Sequence, residues 1–181
     1  PENGTVVSNI FKLSPGLIPF NKEINLNIAI NKHRYPKYLS IYYYNENNQS
    51  WHFMPSTYNS DSTYMQTQIL SGEVFAIIQE ETSPILSSFI PQLNGTYYSS
   101  DLEHISFHLY DSFSGIDDEK DVYVELDGKR IIFEYNSYQK KVRYPLKYNL
   151  KEGEHTLFVE VQDRVGNKSI IDGKFFIKES K

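Results

Sequence analysis

Five histidines, at positions 33, 52, 104, 108 and 155, are the side chains of this sequence best suited to metal binding or proton transfer. Their spacing argues against a shared zinc ion. No His-x-His pair occurs, and His104 and His108, four residues apart, would stand roughly 13 Å apart on a strand, too far for one ion. Oxygen ligands gather in one place instead. Asp111, Asp117, Asp118, Glu119 and Asp121 bracket Gly115, a grouping that can hold calcium or can close its own loop through carboxylate-to-backbone hydrogen bonds. Its order is not that of an EF-hand. Asp163 and Asn167, across Gly166, carry the same two readings, with turn capping the stronger. The sequence has no Gly-x-Ser-x-Gly elbow, Walker loop or dinucleotide fingerprint, and its scattered acids single out no carboxylate pair for glycoside hydrolysis. The expectation is a chain that is not an enzyme, with no cofactor and no resident metal.

Aromatic residues offer contact chemistry. Tyr42, Tyr43, Tyr44 and Trp51 are the candidate ligand-binding residues. Alternation on a strand sends Tyr43 opposite to Tyr42 and Tyr44, so one set faces outward unless another element covers it. Exposed rings on a sheet stack on sugar faces or anchor a protein neighbour; Trp51 also suits half-buried packing. Tyr97-Tyr98, the Tyr135–Tyr138 loop and Tyr144 with Tyr148 form a further aromatic grouping.

The elements that must position these residues are strands. Two alanines against 18 isoleucines, 15 tyrosines and 11 phenylalanines deprive long helices of their best former and favour pleated sheet. At 181 residues the chain fits one large domain or two of roughly 80 to 100 residues. Ile24-Asn-Leu26-Asn-Ile28-Ala-Ile30 has the period-2 pattern of a half-buried strand. Further runs at 6–13, 39–44, 50–54, 64–70 and 74–79 are separated by turn formers, including Ser14-Pro15-Gly16 and an Asn45–Asn48 hairpin loop. Gln79–Pro84 breaks the apolar pattern, which places a domain boundary near residue 83. Seven more runs follow, at 85–90, 105–110, 122–126, 130–135, 140–146, 155–162 and 173–178. Asp127-Gly128 between two of them is a tight hairpin signal. The fold class expected is all-β, two tandem antiparallel β-sandwiches over residues 1–83 and 84–181, the second immunoglobulin or fibronectin type III-like.

Residues 4–78 resemble the β-sandwich domain named after zonula occludens and netrin-receptor proteins, through Ser8–Leu26, Leu39–Tyr44, Trp51 and Leu70-Ser71. Some members of that family cut their own backbone at a His-Phe-Ser triplet; Ile69-Leu70-Ser71 stands here instead, without the histidine that would activate the serine. Residues 84–178 are similar to the bacterial immunoglobulin-like modules of exported proteins, through Ser114-Gly-Ile116, Leu126-Asp-Gly128, Glu152-Gly-Glu-His155 and Asp163-Arg-Val-Gly-Asn167. Similar tandem pairs follow the zinc peptidase domain of some LytM-type murein endopeptidases. The resemblance therefore implies a non-catalytic spacer or interaction module of an exported bacterial cell-envelope protein, at the cell surface, outside the cell or in the periplasm. Its partners would be neighbouring domains of the same polypeptide or an envelope protein or glycan; the alternative is a carbohydrate-binding module using the exposed rings.

Charge and hydropathy agree with that setting. The formal net charge is −5, with 5 basic and 7 acidic residues over 1–83 and 13 and 16 over 84–181. Neither half supplies the basic excess that phosphate neutralisation needs, so nucleic acid is not an expected partner. The apolar runs fall far short of the roughly 20 residues of a spanning helix, so membrane insertion is not expected. Opening at Pro1 without a Met, the sequence reads as a piece of a longer exported chain.

Overall fold

A computed structural model of the chain describes residues 1–14, 16, 18–30 and 37–178. His33, Pro15 and the residues flanking His33 lie outside the described residues. The protein is all-β, with one short 3₁₀ helix among the described residues. It forms two compact units. Residues 1–82 make the first, together with 112–114 and 165–167; residues 83–111, 115–164 and those from 168 on make the second. Those two short loops depart from the expected 1–83 and 84–181 division.

The first unit contains β1 (Gly4–Val6), β2 (Phe11–Lys12), β3 (Pro19–Ala29), β4 (Leu39–Asn45), β5 (Ser50–Met54), β6 (Thr57–Tyr58), β7 (Tyr64–Ser71) and β8 (Val74–Glu80). One sheet has the order β1-β8-β4-β5, with β2 also on β8; the other has the order β3-β7-β6. Alternation decides which side chains meet. Leu26 and Ile28 of β3 lie opposite Thr67 and Met65 of β7, while Asn25, Asn27 and Ala29 are exposed. Ile28, Met65 and Ile69 then pack with Leu39, Ile41, Phe75 and Ile77 from the other sheet. Burial of such side chains contributes about 1.5–3 kcal/mol each, which makes this interior the source of the unit's stability.

The expected run over 6–13 is two strands rather than one. Val7 N–H still bonds the Ile77 carbonyl at 2.9 Å, but the Ser8 hydroxyl takes over as acceptor for Ile77 N–H at 2.8 Å. A side chain replacing a backbone carbonyl interrupts the ladder between β1 and β2. Gly4 shows how tightly β1 is seated. A Cβ there would stand 2.6 Å from the Gln79 carbonyl oxygen and 2.9 Å from Ile78 Cγ2. We expect Gly4→Ala to cost the first unit about 1–3 kcal/mol, because backbone rather than a mobile side-chain tip must yield. The lone tryptophan, Trp51, lies in β5, so its fluorescence in a urea titration measures that loss.

The second unit contains β9 (Ile85–Ile90), β10 (Thr96–Tyr98), β11 (His104–Tyr110), β12 (Val122–Leu126), β13 (Lys129–Arg130), β14 (Glu134–Asn136), β15 (Lys141–Pro145), β16 (Gly153–Gln162) and β17 (Lys168–Lys178). Its sheets run β10-β17-β16-β12-β13 and β14-β15-β11-β9. Leu157, Val159 and Val161 of β16 are wholly buried and share one core with Ile105, Phe107 and Leu109 of β11, whereas Phe158, Glu160 and Gln162 are half-buried on the opposite face. Two sheets sealing one apolar interior make this a sandwich.

Three details correct the strand reading. The run over 130–135 divides, β13 pairing with β12 and β14 with β15, so the chain changes sheets between them. β10 pairs parallel with β17, an exception to the antiparallel expectation. β17 also begins five residues before the expected 173–178, because Gly173 lies inside the strand rather than ahead of it. Its missing Cβ admits Leu93, whose Cδ1 would otherwise stand 2.8 Å away.

Candidate functional site

A cleft of about 400 Å³ opens in the first unit. Tyr43, Tyr44 and Asn45 at the end of β4 form one wall, continued by Glu46 and Asn47 of the hairpin loop; Lys12 and Leu13, Gly16 and the Gly72–Val74 turn complete it. The β4–β5 hairpin is built locally. Asn45 Oδ1 accepts Asn47 N–H at 2.9 Å, and Asn48 Oδ1 accepts the Ser50 hydroxyl at 2.6 Å. These short polar side chains stabilise the turn as the asparagine run predicts. Lys12 Nζ meets Glu46 Oε1 at 2.9 Å, linking β2 to the hairpin. Both side chains are well exposed, so the pair contributes little to stability and remains available to a ligand.

Of the four aromatic candidates, Tyr43 and Tyr44 line the cleft. Tyr43 stacks on His52 with ring centroids 5.1 Å apart and also packs on the apolar core; Tyr44 leans on the half-buried Trp51 at 5.3 Å. Tyr42 does not belong to a contact surface. It is 0% exposed, stacked on Phe113 at 4.4 Å and set edge-on to Phe53 at 5.8 Å. Both faces of β4 are covered there, since Ser40, Ala76 and Ile78 on the Tyr42 side are buried along with Ile41 and Ile77 on the other. Alternation alone does not reveal that second cover. Lys12, Glu46 and Glu73 are cleft residues that the sequence reading passes over; the turn formers beside them, Ser14–Gly16 and Asn45–Asn48, are the signal that marks the spot.

The cleft offers aromatic edges, one cation, two carboxylates and side-chain amides, which suit a ligand with both polar and apolar faces. Beside it, the Ser71 hydroxyl donates to Glu73 Oε1 at 2.9 Å, so a carboxylate adjoins this serine.

The acidic loop of the second unit is tied to its own donors. Asp111 Oδ1 accepts Gly115 N–H at 2.6 Å, where Gly115 takes φ +81°. Asp118 caps the 3₁₀ helix Glu119–Asp121 by accepting Glu119 N–H, and Glu119 Oε1 accepts Tyr135 N–H at 3.2 Å. Asp121 closes the same turn by donating its N–H to the Asp118 carbonyl. Asp117 meets Lys120 at 2.8 Å and Arg164 at 3.2 Å. The Lys120 ammonium, with Arg164 adding, holds this carboxyl below the usual range.

His155 is a buried structural tie. Its Nδ1 lies 2.7 Å from Asp127 Oδ2 and its Nε2 lies 2.8 Å from the Lys151 carbonyl, with the ring stacked on Phe175. Of the further aromatic grouping, Tyr138 and Tyr148 are almost fully exposed, and the Tyr97 hydroxyl accepts Gln92 N–H at 2.8 Å.

No protein-family model and no curated protein sequence matches the chain. Among solved structures it is similar to CopC from Methylosinus trichosporium OB3b, with 10% identity and a TM-score of 0.44, over 54% of this chain and 96% of that one. It is also similar to the extracellular domain of BT4673 from B. thetaiotaomicron, described as a one component system in one structure and a hybrid two component system in another. Identity is 13% in both, TM-scores are 0.36 and 0.34, and 86% and 99% of this chain are covered. The chain spans only 24% and 26% of the length of those two structures.

Proposed function

We propose that the chain is a non-catalytic interaction module of an exported bacterial cell-envelope protein, with the Tyr43–Tyr44 cleft as its contact site. The observation that supports it is the composition of that cleft: rings, amides and an exposed Lys12–Glu46 pair surround a volume in the range of ligand sites. The exported setting rests on the motif resemblance of residues 84–178. The resemblance to the tails of murein peptidases extends the reading to a docking role beside an enzymatic domain. Sequencing the parent open reading frame tests the setting. An export signal with further envelope domains is expected, and a cytoplasmic frame with no exported neighbour overturns it.

The cleft also favours a second reading, carbohydrate binding. Here the expectation is a hit on a glycan array that Tyr44→Ala and Lys12→Ala each weaken at least about tenfold, the scale of one stacking or charged contact worth roughly 1.4 kcal/mol. Tyr44 is the informative ring because Tyr43 also packs on the core. An array without hits, in a protein whose Trp51 fluorescence shows it folded, returns the module to a pure spacer.

A further inference from the structure

Ile105, Phe107 and Leu109 take the core-facing positions of β11, which turns His104, Ser106 and His108 to the opposite face of the sheet. The register with β15 then sets Ser106 beside Arg143 and His108 beside Lys141. Neither Arg143 nor Lys141 is in an ion pair with any described residue. Two polar groups on this face are also unsatisfied. Ser106 is 1% exposed, yet its Oγ has no hydrogen-bond partner, and His104 Nδ1 is buried in the same condition. A buried hydroxyl without a partner is costly and calls for an explanation.

The surroundings are short of acceptors with negative charge. Glu134 lies cross-strand from Arg143 on β14 without forming an ion pair, Glu103 precedes β11, and Asn136 lies beside Lys141. From β9, Ser87 and Ile90 border His108 and Ser106, and Lys140 sits over the Tyr110 ring at 3.9 Å. Burial, followed by the charges of Arg143 and Lys141, pushes His104 below the ordinary imidazole value, with Glu103 opposing. Two cations and two unsatisfied neutral groups therefore share one sheet face, in a protein whose overall charge is −5.

We propose that His104, Ser106, Arg143 and Lys141 form a binding site for an oxyanion, a sulfate, phosphate or carboxylate group. Arg143 offers a pair of parallel N–H donors matched to two oxygens of such a group, and Lys141 adds a second charge. The Ser106 hydroxyl and His104, as its Nδ1–H tautomer, donate to the remaining oxygens. One ligand thus supplies the acceptors that both neutral groups lack and the counter-charge that both cations lack. Glu134 is the built-in competitor for Arg143.

The test is a titration of the full chain with sodium sulfate and with sodium phosphate at constant ionic strength, following the imidazole resonances by NMR. Saturable shifts of His104 and His108 are expected, with His52 and His155 unmoved and the His104 titration displaced upward. Arg143→Ala should weaken binding at least about tenfold, as loss of a charge-assisted pair does, and Ser106→Ala should weaken it by less. Glu134→Gln should tighten it, while Lys168→Ala, on the other sheet and paired with Glu160, should leave it unchanged. Non-saturating shifts common to all the histidines would overturn the site, as would saturable binding indifferent to Arg143→Ala. Dextran sulfate and polygalacturonate distinguish a free ion from a polymer-borne group: a polymer binding at least about tenfold tighter, lost in Arg143→Ala, assigns the oxyanion to a chain. Failure here leaves the cleft of the first unit untouched, since none of its lining residues is varied.

Discussion

Asp127→Ala is expected to destabilise the second unit by about 3 kcal/mol, assembled from three losses of about 1 kcal/mol each. Asp127 sits at φ +52° and Gly128 at φ +69°, the turn that the Asp-Gly pair predicts. Alanine tolerates that backbone region poorly, whereas aspartate and asparagine bond locally there. Asp127 Oδ1 accepts Thr156 N–H at 2.9 Å and Oδ2 meets His155 Nδ1 at 2.7 Å. The histidine is buried, so truncation strands a polar nitrogen in the core beside Phe175. Asp127→Asn separates the contributions. It keeps the turn conformation and the acceptor for Thr156 while losing the carboxylate at His155, and should cost only about 1 kcal/mol. Hydrogen exchange of the amides in β12 and β16 reads both variants, and equal losses in the two would show that neither turn strain nor the Thr156 bond contributes.

This site illustrates how far the sequence carries. The Asp-Gly hairpin is legible because its two residues act on their own backbone. That the Asp127 side chain also meets His155, 28 positions later, depends on β12 and β16 being neighbours, which no local pattern states. Strand content was likewise legible where one face is core and the other wet, as in β16 and β7. It was legible too in β4 and β8, whose faces are both covered, but the cover over Tyr42 was not. The strand limits failed where a residue serves contact rather than conformation. Gly173 looks like a strand boundary because glycine usually interrupts sheet, but it sits inside β17 to admit Leu93. The 130–135 run looks like one strand because nothing in its residues records the change of sheet. At the cleft, the tyrosine run and the asparagine loop were visible, but Lys12 and Glu73 join them only through the pairing of β2 with β8.

The second large effect is expected at Tyr42, where Tyr42→Ala should cost the first unit about 3–5 kcal/mol, the range for truncating a buried aromatic ring. The ring is 0% exposed between Phe113 and Phe53, and its hydroxyl donates to Glu80 Oε2 at 3.3 Å. Glu80 is itself wholly buried, so removing a donor leaves its carboxyl less well satisfied in a medium that penalises it. Tyr42→Phe isolates this part: the stack survives, the hydroxyl goes, and the loss should fall to about 1–2 kcal/mol. Trp51 fluorescence in urea measures both, because Trp51 lies on the neighbouring strand β5 opposite Tyr44, and Phe53 of the same strand, opposite Tyr42, touches the Tyr42 ring. Tyr44→Ala provides the contrast. Its half-buried ring lines the cleft, so the substitution should lower stability by no more than about 1 kcal/mol while removing the binding surface. If Tyr42→Ala instead left the unfolding midpoint in place and abolished a ligand contact, its ring would be a surface recognition element and the packing described for β4 would be wrong.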